Sequence, residues 1–235
     1  MTATIRHPLI GPQLDGNYSF MSHRCIAIKI NRRIAFVPTD RRDLRRRLYH
    51  ELAAEQAGYF TAAQAATIGY SHQAQAYHVD AGNWLRVGRG LFRLAEWVPG
   101  LHDDLALWTL WSKGRGVISH ESALAVHAIG EFESAHVNLT VPPGFRMRND
   151  ALRLHHGALP DTDVVQWTGF RVTTPMRSLI DIAADGADIE QLGRAITDAR
   201  ERGLLTIKAL RSRSEAVDTR AALMIERALN IEVTS

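Results

Sequence analysis

Residues 44–97, LRRRLYHELAAEQAGYFTAAQAATIGYSHQAQAYHVDAGNWLRVGRGLFRLAEW, constrain the fold more than any other part of the chain. Leu44, Leu48 and Leu52 recur every four residues, and Ala53 and Ala57 widen the same face. That predicts an amphipathic helix closed by Gly58. Phe60-Thr61-Ala62-Ala63-Gln64 then starts a second helix. Thr61 can cap its free amides, and Gln64, three residues on, completes a capping box. Ala62, Ala65 and Ala66 are small enough for two helices to approach, and Gly69 ends the element. Ser71 caps a third helix that runs to about Asp80 and closes at Gly82. Two short helices around a tight glycine corner are a helix-turn-helix.

A two-stranded hairpin follows. Trp84, Leu85 and Val87 lie on one arm, and Leu91, Phe92 and Leu94 on the other. Gly88-Arg89-Gly90 makes the turn. Arg89 projects from the tip, with Arg86 and Arg93 flanking it, as in a wing that meets phosphates or the minor groove. The plainer alternative is a solvated turn with charges for solubility. The third helix is the expected reader of base edges. Ser71 opens it, and its exposed candidates are His72, Gln73, Gln75 and His78, with Tyr77 a further contact; glutamine pairs bidentately with adenine. The helix holds no arginine or lysine. Phosphate neutralisation therefore falls to Arg86, Arg89 and Arg93 and to Arg41, Arg42, Arg45 and Arg46, where the first helix also offers its N-terminus. The alternative for His72 and His78 is an ordinary polar helix face.

Charge sharpens this reading. The chain carries only +3, but residues 24–47 hold nine arginines and lysines against two aspartates, a net of +7. A basic front on a mildly acidic body suits an anionic partner or, equally, a solvated arm. Residues 1–40 read as a variable basic extension. Residues 1–20 are loop-like, CIAIKI (25–30) and IAFVP (34–38) are short apolar pieces that could form a hairpin, and Met21 is an alternative start. Cys25 is the sole cysteine, so there is no internal disulfide and no cysteine-based metal cluster. No apolar run is long enough to span a membrane and the start lacks a signal-peptide core, so the expected home is the cytoplasm.

The fold class is α/β (α+β): a winged helix-turn-helix over residues 41–98, then a mixed domain over 101–235 with a small β-sheet packed by helices. Pro99-Gly100 marks the junction. Helix DDLALWTLWS (103–112), strand Val117-Ile118 and a helix from Ser119 through Val126 come first. HVNLTV (136–141) and ALRLHH (151–156) read as strands, and 163–167 with 170–172 as a hairpin through Thr168-Gly169. Thr174 caps a helix with Pro175 at its first position; further helices span Ile189 to Arg202, Thr206 to Leu210 and 215–229. His120 and His127, seven residues apart, share a helix face and invite a metal reading, but spacing fixes no third ligand and structural hydrogen bonding is favoured. Arg146, Arg148, Arg153, His155 and His156 give the sheet a basic edge, and Arg177 can reach Asp181 as an ordinary helix pair. No catalytic constellation, metal or cofactor is expected.

YFTAAQAATIGYS (59–71), WLRVGRGLFRLA (84–95), GVISHESALAVHAI (116–129) and VTTPMRSLIDIAA (172–184), in this order, give the chain its family character. Over about residues 44–213 it resembles the AbiEi-type antitoxins of bacterial, especially actinobacterial, toxin–antitoxin systems. The resemblance implies an N-terminal winged helix on the operon's own promoter and a C-terminal antitoxin domain. It also implies a cognate toxin with a nucleotidyltransferase-like fold. The HESAL and TTPxRxLxD segments are then fold signatures rather than catalytic sites. Residues 71–81 hold fewer arginines than the family's usual recognition helix.

Three alternatives stand beside this reading. One is a stand-alone winged-helix regulator; another is a protein-interaction module with a degenerate winged helix. The third is an endonuclease, but the acids after residue 184 sit among helices, without a strand carrying an acid-x-lysine pattern.

Overall fold

The leucine stripe of residues 44–52 winds into helix, as its period requires, but not into one regular α-helix. The computed structural model describes residues 40–132 and 134–232; the N-terminal extension and its hairpin lie outside the described residues. Helix α1 (Arg41–Arg47) continues as a π-helical stretch, Leu48–Ala53, and a 3-10 turn, Ala54–Gln56. Asp40 caps its start by accepting from the Arg42 amide. Strand β1 (Tyr59–Thr61) follows, then α2 (Ala62–Ile68), α3 (His72–Asp80), β2 (Trp84–Gly88) and β3 (Leu91–Leu94).

The caps are where the side chains dictate. Thr61 Oγ1 accepts from the Gln64 amide at 3.1 Å while Gln64 Oε1 accepts from the Thr61 amide at 2.8 Å. Ser71 Oγ accepts from the Ala74 amide at 3.2 Å. The sheet has three strands, ordered β1-β3-β2, instead of the two of the expected hairpin. The extra strand is the short run just before Thr61, which pairs antiparallel with β3 at Tyr59↔Arg93 and Phe60↔Phe92. Three residues carry too little alternation to announce a strand. Leu48, Ala53, Phe60, Ala65, Ile68, Tyr70, Trp84, Phe92 and Leu94 fill the core between helices and sheet.

Beyond Pro99 come α4 (Asp104–Trp111), β4 (Val117–Ile118), α5 (His120–Val126), β5 (Val137–Val141) and β6 (Leu152–His156). Then follow β7 (Val164–Trp167), β8 (Phe170–Thr173), α6 (Pro175–Asp185), α7 (Ile189–Glu201), α8 (Ile207–Val217) and α9 (Thr219–Glu232). The five strands form one mixed sheet, ordered β6-β5-β4-β8-β7. Helix α8 is longer than the expected Thr206–Leu210 and ends at Val217, with Asp218 between it and α9. Ser119, expected as a cap, makes no capping bond; its hydroxyl bonds Thr140 and His120 instead.

The described residues, 40–132 and 134–232, pack as one compact unit. Helix α4 is the joint: Ala57 and Tyr59 of the winged helix share a small core with Ala106, flanked by Leu107 and Leu110. The β7–β8 turn fits against the same place. A Cβ on Gly169 would sit 2.8 Å from Ala106 Cβ and 3.3 Å from the Gln56 backbone, and its φ is +84°. Only glycine fits that conformation and that gap.

Candidate nucleic-acid interface

Helix α3 is nine residues long, and its two faces divide its polar side chains. His72 and Gln73 are exposed at its first turn, and Tyr77 is 64% exposed further along. Gln75 is only 4% exposed. The expectation that it reads bases is corrected: its amide nitrogen donates to Ala62 O at 3.1 Å and Tyr70 O at 3.0 Å, locking α3 against the start of α2. His78 is corrected in part. Its ring stacks on Trp84 at 4.9 Å and 14°, and its Nδ1 lies 3.2 Å from the Asn83 amide. Burial, aided by the nearby Arg41 charge, lowers its pKa from 6.5. His78 is thus a half-buried neutral ring supporting the helix.

The arginines also separate. Arg41, Arg42, Arg86 and Arg89 are exposed and have no carboxylate partner among the described residues. Arg89 sits in the β2–β3 turn, and Arg86, exposed overall, places its guanidinium carbon 5.2 Å from the centre of the Phe92 ring, a cation–π contact. Arg45 pairs with Glu96, and Arg46 with Asp43 at 2.8 Å. Arg42, Arg45 and Arg46 line one surface hollow of about 450 Å³ with Tyr49, His50 and Glu96, whereas Arg41 acts on His78 of α3. At the N-terminus of α1, where a phosphate contact was expected, the Asp40 carboxylate accepts from the Arg42 amide at 3.2 Å.

Arg93 is the clearest relocation. It lies on β3 facing α4, over the Tyr59 ring at 5.1 Å and 4.0 Å from Asp103. Asp103 also accepts from Trp97 Nε1 at 2.9 Å and the Gly100 amide at 2.8 Å. Arg93 therefore stitches the wing sheet to α4 and does not flank Arg89 as a phosphate contact. Of the expected contact residues, Arg41, Arg42, Arg45, Arg46, Ser71, His72, Gln73, Tyr77, Arg86 and Arg89 are exposed.

In the second region, His120 and His127 do not converge. His127 Nε2 bonds Thr173 O at 2.7 Å, and burial lowers its pKa below 6.5 although that bond and Arg202 oppose one another on it. His120 meets His155 instead, a pairing no local spacing could show. Burial, with His155, Arg153 and Arg177 beside it, holds His120 down to about 3. The TTPxRxLxD segment forms a buried ion network. Arg177 donates to Asp181 at 2.7 Å and to Asp163 at 3.0 Å, and Asp163 also accepts from Arg213 at 2.8 Å. Burial pushes Asp181 up to about 6 against the pull of Arg177. The network ties the turn that precedes β7 to α6 and α8.

No curated protein sequence matches the chain. A solved structure, the crystal structure of RV2827C protein from Mycobacterium tuberculosis, is similar in fold, with a TM-score of 0.51 at 12% identity, covering 79% of this chain and 77% of that one. Among the described residues no helix is long and apolar enough to cross a membrane. The family model described as "Transcriptional regulator, AbiEi antitoxin" matches residues 47–95, the span from the end of α1 through the wing. That description is of a regulator rather than an enzyme. The match covers the winged helix alone, which is thus similar to that of the AbiEi-antitoxin transcriptional regulators.

Proposed function

We propose that the protein binds its own promoter DNA through the winged helix, represses its operon and counteracts a cognate nucleotidyltransferase-like toxin through residues 101–235. The observation that carries the reading is the coincidence of the family match with a surface where His72 and Gln73 are exposed on α3 and Arg86 and Arg89 on the wing. In this arrangement α3 supplies base contacts. The wing arginines, with Arg41 and Arg42, supply phosphate contacts.

Because α3 has no lysine or arginine, most of the affinity comes from phosphate neutralisation and falls steeply with salt. The same absence favours one second reading, a protein-interaction module in which the winged helix no longer selects a site. Binding of the purified protein to its upstream duplex, against a scrambled duplex of equal length across a salt series, separates the two. Preference for the upstream DNA that persists near physiological salt supports the regulator. Equal affinities that collapse together with salt, or no binding, overturn it. Co-purification with the product of an adjacent toxin-like gene tests the antitoxin half.

A further inference from the structure

Three side chains far apart in sequence meet behind the sheet edge: His120 at the start of α5, His155 on edge strand β6 and Asp185 at the end of α6. The two imidazoles stack at 3.5 Å with their planes 16° apart. Each is held through the nitrogen that faces away from Asp185. His155 Nε2 lies 2.9 Å from Asn138 Oδ1. Asn138 is fully buried, and its amide nitrogen donates to Ser134 Oγ at 3.2 Å, which turns its oxygen toward His155. The imidazole hydrogen therefore sits on Nε2, leaving a bare lone pair on Nδ1. That lone pair is 3.7 Å from Asp185 Oδ2, so two acceptors face each other.

His120 is held in the same way. Its Nδ1 lies 2.9 Å from Ser119 Oγ, a fully buried hydroxyl that also accepts from Thr140 Oγ1 at 2.8 Å. His120 Nδ1 shares a hydrogen with Ser119 Oγ, and the other ring nitrogen, Nε2, lies 3.9 Å from the same carboxylate oxygen. His120 also adopts φ +53°, a backbone conformation uncommon outside glycine and one that marks functional positions. Among the described residues the cation on this carboxylate is Arg153, with Nη2 3.1 Å from Asp185 Oδ2 and a side chain 57% exposed.

We propose that His120, His155 and Asp185 bind a divalent late-transition-metal ion of the zinc class. Two imidazole nitrogens and one carboxylate oxygen are a donor set suited to Zn²⁺, with a fourth position left to solvent. Hydrogen bonds that orient the imidazoles from behind, as Asn138 and Ser119 do here, accompany metal-binding histidines. The donor atoms all lie within 4.8 Å of one another, and a tetrahedral shell needs about 3.3 Å, so they close by up to about 1.5 Å as the stacked rings splay. Asp185 ends its helix and can make that movement. Arg153 competes for the same oxygen and leaves for solvent when the ion arrives. The bound ion cross-links β6 and α5 to the end of α6.

The test uses the full-length protein, stripped with a chelator and titrated with Zn²⁺ by calorimetry and with Co²⁺ as a visible-absorption probe. We expect one ion per chain, a dissociation constant of about 1 µM or tighter, and a melting temperature raised by about 5 °C at saturating Zn²⁺. H155Q and D185N weaken binding at least tenfold, R153Q tightens it, and H136Q, an exposed histidine elsewhere, leaves it unchanged. D185N, at an exposed helix end, keeps the test open should H155Q not fold. Absence of stoichiometric binding, binding that survives both H155Q and D185N, or an R153Q protein that binds more weakly overturns the proposal.

Discussion

Gln75 and Gln73 are two residues apart on one short helix and have opposite fates. Gln73 is exposed, whereas Gln75 bridges Ala62 O and Tyr70 O. Gln75→Ala takes a donor from the half-buried Ala62 carbonyl and the buried Tyr70 carbonyl and lowers stability by about 1–3 kcal/mol in urea unfolding, with site preference on DNA unchanged. Gln73→Ala does the reverse: stability stays within about 0.5 kcal/mol and selectivity for the operator falls. His127 gives a pH signature. Burial lowers its pKa from 6.5 in the folded protein, so the unfolded chain binds the proton more readily. Its contribution is therefore present above pH 6.5 and is lost as pH falls below it. His127→Gln, which can still donate to Thr173 O, should show a smaller drop in urea midpoint between pH 7.5 and 5.5 than the parent protein. An equal drop in both would remove His127 from the acid response.

At the scale of elements, the wing and the α6 network separate function from stability. Replacing Arg86 and Arg89 together with alanine touches no carboxylate and no core side chain except the Phe92 face under Arg86. The variant should bind all duplexes more weakly, with a salt slope reduced by about 2, while melting as the parent does. Unchanged affinity would remove the wing from the interface. Asp163, by contrast, is buried and holds both Arg177 and Arg213. Asp163→Ala leaves the mostly buried Arg177 with Asp181 as its one carboxylate and takes the carboxylate from Arg213, and should cost about 3 kcal/mol in chemical unfolding, with little effect on DNA contacts more than one element away. Much of this level was legible in the sequence. Thr61 with Gln64, Ser71 and Thr174 with Pro175 act through the neighbouring backbone, and the structure has each cap in place. Strand β1 and the late start of α9 were not legible, because three-residue pairing and a break between two polar helices leave no periodic trace.

At the scale of the molecule, the winged helix and the mixed sheet do not stand apart, because α4 contributes to a core shared with Ala57 and Tyr59. Gly169 lets the β7–β8 turn close on that joint. Gly169→Ala meets Ala106 and the Gln56 backbone and strains a left-handed φ, so it should lower the unfolding midpoint by about 2 kcal/mol or more. Retained stability would mean that the two regions separate without cost.

What the sequence determined alone is whatever depends on near neighbours: the helix starts, the wing turn with Arg89 at its tip, and the basic first helix. These follow from hydrogen bonds and spacings within a few residues. What only the tertiary structure decided is which polar side chains remain available. Gln75, His78 and Arg93 look like surface contacts in a string of letters, but the packing of α3 on α2, Trp84 on His78 and β3 on α4 consumes them. By the same logic His120 lost its sequence neighbour His127 and gained His155 and Asp185. Long-range packing sets the distances at which polar groups meet, and no local period encodes it.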